Sequence, residues 1–236
     1  MARPQIDYDR VRVAVIGCGH TGARRAEQAA INSSSRLLLA IDTSHEPARS
    51  VAERFGSAWS TDWRIAVDDQ TIDIVVVATP SARRCEIAIA ALRAGKHVLI
   101  EAPMGCNLAE AEAIAAEAAV SAGTTKVGFW LRYHPAIARA REIVASGSIG
   151  KPLSIEVRYA GTEMLDGELL RERFAHAADL AAGLTQPQQA FGYATEFDSF
   201  GLLRCADGCT ISLRASTSQT RPAFSFHATG ESGSVS

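Results

Sequence analysis

Near the N-terminus, Gly17-Cys18-Gly19-His20-Thr21-Gly22 spaces three glycines as G-x-G-x-x-G. Such a loop suits phosphate chemistry. The first glycine permits a sharp turn, the second lets a pyrophosphate approach the backbone, and the third lets a helix pack close to a strand. Alone, the spacing is equally that of a plain tight turn. Its surroundings supply the context nucleotide binding needs: the apolar run Val11 to Ile16 precedes it, and a helical pattern from Ala23 to Ile31 follows. Unpaired N–H groups at that helix start would face the phosphates. Asp42 closes the next strand, twenty positions beyond Gly22. A carboxylate there accepts hydrogen bonds from the ribose hydroxyls of NAD and repels the 2′-phosphate of NADP; it is also compatible with a helix cap. Thr43 and Ser44 follow, and no arginine appears before Arg49, so NAD is expected over NADP. Thr79-Pro80 ends another apolar run, Ile72 to Ala78, at the carboxyl edge where doubly wound sheets bind ligands.

These residues require a particular scaffold. Val11 to Ile16, Arg36 to Ile41, Ile72 to Ala78 and Lys96 to Ile100 read as strands buried on both faces, with Lys126 to Phe129 a further strand. Helical patterns lie between them, the alanine-rich Leu108 to Ala122 among them. Strands alternating with helices predict an α/β fold, a Rossmann-type doubly wound parallel sheet. Beyond it the pattern changes. Pro135 to Ala145 reads as a helix, Leu153 to Tyr159 alternates with period two, and a helix is expected over Leu169 to Leu184. Phe200 to Cys205 and Thr210 to Ala215 flank Ala-Asp-Gly as a hairpin, and Phe224 to Thr229 is a last strand. A boundary near residue 129 therefore divides a dinucleotide-binding domain over 8–129 from a smaller α+β domain over 130–236 with a mostly antiparallel open sheet.

Bulk properties narrow the function classes. The 236 residues are 47% hydrophobic and carry a net charge of −2, with a pI near 6.3. This leaves no electrostatic footprint for nucleic acid or an anionic membrane. The apolar runs are too short to span a bilayer, and MARPQIDYDR lacks the apolar core of a secretion signal. The five cysteines are odd in number and form no CxxC, so no metal site is expected, and free thiols suit the cytoplasm.

Two longer stretches carry a family resemblance. ATPSARRCEIAIAALRAGKHVLIEAPMGCNLAEAEAI, from Ala78 to Ile114, and GFWLRYHPAIARAREIVASGSIGKPLSIEV, from Gly128 to Val157, are similar to segments of the Gfo/Idh/MocA oxidoreductases. The resemblance covers about residues 11 to 160 well and the rest loosely. It implies a Rossmann domain followed by an α+β domain whose open sheet walls the substrate site and often meets a partner subunit, so a homo-oligomer is expected. The implied activity is hydride transfer between NAD(P) and a small-molecule substrate, a sugar-like polyol or keto compound.

The resemblance also implies site residues. Glu101 and Pro103 match the family's Glu-Lys-Pro motif, which shapes the backbone beside the nicotinamide, often with a cis proline bond. Ala102 stands where the family has its acid/base lysine, and a methyl group cannot move a proton. Glu172-Arg-Phe174-Ala-His176-Ala-Ala-Asp179 resembles a second motif, Asp-x-Gly-x-His-x-x-Asp. His176 is the candidate replacement for the lysine, since imidazole donates or accepts a proton near neutral pH. Glu172, four residues earlier, would share its helix face. Tyr133, His134 and His97 are further candidates. Arg132 could reach substrate or lie on a solvated surface; Arg83 and Arg84 read as a solvated helix start or an anion contact. The chain is short for the family, hence a compact member or a fragment. Two other functions fit Ala102: a non-catalytic dinucleotide-binding regulatory or assembly protein, and a reductase of a non-sugar substrate such as an imine.

Overall fold

The computed structural model describes residues 10–161, 167–195, 198–216 and 223–236; the expected N-terminal tail and the domain start at residue 8 lie outside them. The chain divides into two compact units, Met1–Gly128 and Phe129–Ser236.

In the first unit the elements run β1 (Val11–Ile16), α1 (His20–Ile31), β2 (Ser35–Ile41), α2 (His45–Phe55), β3 (Ala58–Ser60), α3 (Arg64–Asp68), β4 (Ile74–Val77), α4 (Ser81–Arg93), β5 (His97–Ile100), α5 (Leu108–Val120) and β6 (Thr125–Val127). The strands form a parallel sheet in the order β3-β2-β1-β4-β5-β6. Both faces are buried, as uninterrupted apolar strands require. Ala14 and Ile16 of β1 join a core with Val75, Val77, Ile100 and Leu92, while Val13 and Val15 join another with Ala26 and Val51. Strand order reverses between β1 and β4, which brings Gly17 and Ala78 together at the carboxyl edge. That switch point is where an open α/β sheet offers a crevice.

A bidentate pair ties β1 to the start of β4. Arg12 donates from Nε to Asp73 Oδ2 at 2.9 Å and from Nη2 to Oδ1 at 2.7 Å, and its backbone N–H adds a third bond at 2.8 Å. Chiefly through the side-chain bond, Arg12 holds the Asp73 carboxyl below its ordinary pKa. A depressed carboxyl contributes stability above its unfolded pKa and loses it as pH falls through the folded one. Asp73→Asn should therefore lower the urea midpoint at pH 7, and the gap from the parent should be smaller at pH 3. An equal gap at both pH values would contradict this role.

In the second unit a 3-10 turn (Trp130–Tyr133) leads to α6 (Pro135–Ala145), β7 (Pro152–Ala160), α7 (Gly167–Ala182), β8 (Pro187–Ala194), β9 (Asp198–Cys205), β10 (Thr210–Ser216), β11 (Ala223–Gly230) and β12 (Gly233–Val235). The sheet order is β12-β11-β7-β10-β9-β8. Among the described residues of this sheet only β7 and β10 pair in parallel; the other pairings are antiparallel. Ile155, Val157, Ile211, Leu213 and Phe226 pack on one face with Ile137 of α6 and Leu180 of α7. The opposite face is left open, with Arg158 and Arg214 in register on neighbouring strands. No helix among the described residues is long and apolar enough to cross a membrane.

Candidate active site

The loop after β1 is built around close backbone approach. Gly17 has φ +94°, a left-handed conformation that suits glycine, and a β-carbon there would lie 2.6 Å from the Ala78 carbonyl. At Gly22 a β-carbon would lie 1.7 Å from the Gly17 carbonyl oxygen. These two glycines let α1 start against the strand. Gly19 differs, because nothing lies within 4 Å of a β-carbon placed on it. An open cradle thus sits at the N-terminus of α1, where Gly19 supplies no side-chain cap and His20 and Thr21 are exposed. That is the place a pyrophosphate would occupy.

Asp42 borders this cradle. Its Oδ2 accepts from the Cys18 N–H at 2.8 Å and its Oδ1 from the Ser44 N–H at 2.9 Å, so the carboxylate is aimed by the loop it neighbours. Each carboxylate oxygen can accept more than one bond, which leaves capacity for ribose hydroxyls. Cys18 is buried, with its thiol on the Ile41 carbonyl. Burial, and then the Asp42 charge, pushes that thiol up to about 12, so it stays protonated and unreactive. Across the switch point the Thr79 hydroxyl is buried without a hydrogen-bond partner. Buried polar atoms seldom remain unpaired, and an orphan beside the cradle fits a site completed by a ligand. The residues present therefore suit a dinucleotide.

The Glu101–Pro103 corner is held by two arginines. Glu101 is buried and pairs with Arg25 of α1, Nε to Oε1 at 2.5 Å. Its carboxylate lies over Gly128, where a β-carbon would come within 2.5 Å of Oε2. Arg84 is only 6% exposed. Its Nε donates to the Thr79 carbonyl at 2.8 Å, and its Nη1 to the carbonyls of Pro103 at 2.6 Å and Glu101 at 3.2 Å. The Ala102–Pro103 bond is cis, and Ala102 is buried. Arg84 is thus not a solvated helix start; it clamps the segments after β4 and β5 to each other. A signal for this exists in the sequence. Arg84 shares helical spacing with Ile87, Ala88 and Ala91, all buried, and so had to face inward. Arg83 is exposed. His97 serves the backbone, its Nδ1 accepting from the Thr124 N–H at 3.0 Å.

In the second unit α7 carries Glu172, His176 and Asp179. His176 is 2% exposed and lies among the rings of Phe129, Trp130 and Tyr159, at centroid distances of 5.6, 6.0 and 6.4 Å. Glu172 sits one turn earlier and is partly exposed. Asp179 pairs with Arg132 of the 3-10 turn, which donates from Nε to Oδ2 at 2.7 Å and from Nη2 to Oδ1. Phe174 finds room over β9 because Gly201 has no side chain; a β-carbon there would lie 2.7 Å from the ring. Tyr133 is 73% exposed, and His134 is exposed as well. Among the described residues no group of three or more His, Cys, Asp or Glu could hold a metal ion.

Known proteins are similar to this chain in sequence and in fold. Scyllo-inositol 2-dehydrogenase (NAD(+)) of Bacillus subtilis (strain 168) is 31% identical over 146 residues, 61% of this chain and 43% of that protein. Inositol 2-dehydrogenase 2 of Saccharopolyspora erythraea is 31% identical over 182 residues, 74% of this chain and 53% of the relative. The chain thus spans about half the length of these curated relatives. In fold it is similar to a myo-inositol dehydrogenase from Lactobacillus casei solved with NAD(H) and myo-inositol. The TM-score is 0.85 over 96% of this chain and 73% of that one, at 20% identity. Residues 11–129, the whole span from β1 to the end of the parallel sheet, match the model of an oxidoreductase family with an NAD-binding Rossmann fold. The chain therefore belongs to the Gfo/Idh/MocA oxidoreductase family.

Proposed function

We propose that the protein is an NAD-dependent oxidoreductase acting on a sugar-like polyol or keto substrate, with His176 moving the proton that a lysine at position 102 would otherwise move. The observation that carries this reading is the cradle itself: an open Gly19 between two glycines that admit no side chain, bordered by Asp42. Gly17 to Gly22 and the start of α1 would hold the pyrophosphate, Asp42 the adenosine ribose, and Thr79, Pro80, Glu101 and Pro103 the nicotinamide half. When bound, the nicotinamide supplies the hydride acceptor or donor. Relatives named for inositol support a cyclic polyol as the substrate class. Glu172, on the same helix face as His176, orients or charges the imidazole.

Cofactor choice tests the reading directly. Like charges close together near a protein surface repel by at least ~1 kcal/mol, so NADH should bind about fivefold or more tightly than NADPH in a fluorescence titration. Asp42→Ala should narrow that ratio by weakening NADH and sparing NADPH. Equal affinities for the parent protein would sink the assignment.

A second reading is favoured by Ala102, which is buried and has no group able to donate or accept. On this reading the protein binds the dinucleotide for regulation or assembly. A panel of sugars, inositols and keto acids that leaves NADH unoxidised would select it.

The open face of the second sheet is where we place self-association. Phe191, Tyr193 and Leu202 are exposed on β8 and β9, and contiguous apolar surface of this kind marks an interface. A dimer at micromolar concentration is the expected light-scattering result, converted to monomer by Phe191→Glu. A parent protein that is already a stable monomer would refute it. The five cysteines, all free thiols, suit a reducing, cytoplasmic setting.

A further inference from the structure

The open face of the second sheet carries a row of side chains that runs straight across four strands. Phe200 of β9 pairs with Arg214 of β10, Arg214 with Arg158 of β7, and Arg158 with Ser225 of β11. Residues directly opposite on neighbouring strands share a face, and the strands lie only about 4.8 Å apart. Two arginines are therefore held side by side. Like charges placed opposite each other are destabilising, so the pair calls for anionic partners. Arg214 has a firm one: Asp198 Oδ2 accepts from its Nε at 3.0 Å and from its Nη2 at 2.6 Å. Arg158 is held more loosely. Its Nε lies 3.8 Å from Glu156 Oε1, too far for a hydrogen bond, and it makes none among the described residues.

Both arginines line a small cavity of about 90 Å³. Ser216, Ser225, Ala160 and Ala223 line it as well, and no Asp or Glu does. Glu156 instead lines a larger cavity, of about 420 Å³, that shares the two arginines. Ser216 is buried, and among the described residues neither serine hydroxyl makes a hydrogen bond. The small cavity thus gathers two guanidinium groups and two hydroxyls with no carboxylate in its lining.

We infer that this cavity binds a phosphate group, either the free ion or the head of a small phosphorylated molecule. A guanidinium presents a planar fork of N–H donors that fits phosphate oxygens, and a serine hydroxyl adds a donor. A lining of one sign concentrates the field inside the cavity, and a bound anion relieves the repulsion between the arginines. Phosphate suits the site better than a carboxylate because its four oxygens point in different directions. It accepts from Arg158, Arg214 and a serine at once, whereas the two oxygens of a carboxylate lie in one plane. Both arginine side chains are half-exposed, so water screens the charges and the affinity is about millimolar. The inference does not rest on the oxidoreductase reading, whose cofactor residues belong to the first unit.

The probe is inorganic phosphate, titrated into the full chain in 0.15 M sodium chloride and followed by phosphorus NMR and calorimetry. Phosphate should bind, and acetate should bind at least fivefold more weakly. Arg158→Gln should weaken phosphate binding at least tenfold, Arg158→Lys severalfold because the fork is lost, and Ser225→Ala about threefold. Melting temperature and NADH affinity should match the parent in all three variants, which separates loss of the site from loss of the fold. Glycerol 3-phosphate distinguishes the sources. Affinity equal to that of the free ion assigns the site to a phosphate ester, and much weaker binding assigns it to the ion; both uphold it. Unchanged phosphate binding by a folded Arg158→Gln overturns the inference, and so does acetate binding as tightly as phosphate. Phosphate bound by a monomeric Phe191→Glu variant but not by the parent would hand the two arginines to a second copy of the chain, and it overturns the site as well. No phosphate binding by either protein overturns it outright.

Discussion

Replacing His176 with alanine is expected to lower turnover by about 10²–10⁴-fold, the usual loss when a positioned acid or base is removed, while NADH affinity stays within about twofold. The separation follows from where the groups lie. The dinucleotide cradle belongs to the first compact unit, and His176 to α7 of the second. The imidazole is packed among Phe129, Trp130 and Tyr159, so alanine would also leave a cavity, and large-to-small changes in a core cost about 2–5 kcal/mol. His176→Gln keeps most of the volume and still hydrogen-bonds, but it cannot ionise. A steady-state assay on both variants, with thermal melts alongside, distinguishes chemistry from packing. Loss of turnover in both, with the melting temperature preserved in the glutamine variant, is the expected pattern. Turnover that survives both changes would remove His176 from the mechanism and leave the oxidoreductase class intact.

Arg84→Met should produce the largest loss of stability among the first unit's charged residues and should weaken NADH binding more than tenfold. Methionine keeps most of the buried stem, so the change isolates the guanidinium. That group serves three carbonyls, those of Thr79, Glu101 and Pro103. Leaving a buried acceptor unpaired costs about 1–3 kcal/mol, and some of it is recovered because a buried charge disappears with the arginine. A net cost of about 3 kcal/mol is expected, which for a chain of this size lowers the melting temperature by roughly 6–12 °C. Binding should suffer because the two segments that line the carboxyl edge lose their common tie. Arg84→Lys tests the geometry, since an ammonium is a point charge and cannot reproduce a planar fork. It should recover only part of the stability. A lysine variant equal to the parent in both stability and NADH affinity would show that the fork is unimportant.

Much of the first unit was legible from local pattern alone. β1, β2, β4 and β5 are buried on both faces over most of their length, so those stretches had to be apolar. The glycine loop was equally legible, because its constraint is a turn and two close approaches within a few residues. β3, at three residues, was too short to carry a period. β8 was hidden for a different reason. It lies at a sheet edge, is exposed throughout, and contains Pro187 and Gly192, so neither alternation nor propensity marked it.

The sequence by itself determined the parallel sheet, the phosphate loop, the acidic residue at the end of β2, and the absence of a lysine at 102. Each is a matter of residue type or of neighbours close along the chain. Only the tertiary structure decided that Arg84 and Arg25 face inward to clamp the Glu101–Pro103 corner, that β7 and β10 run parallel, and that His176 is enclosed by rings. These depend on contacts between residues as far apart as Arg25 and Glu101, or Phe129 and His176. A charged side chain reads the same in sequence whether water or a ring of carbonyls solvates it, and only the fold brings those carbonyls to Arg84.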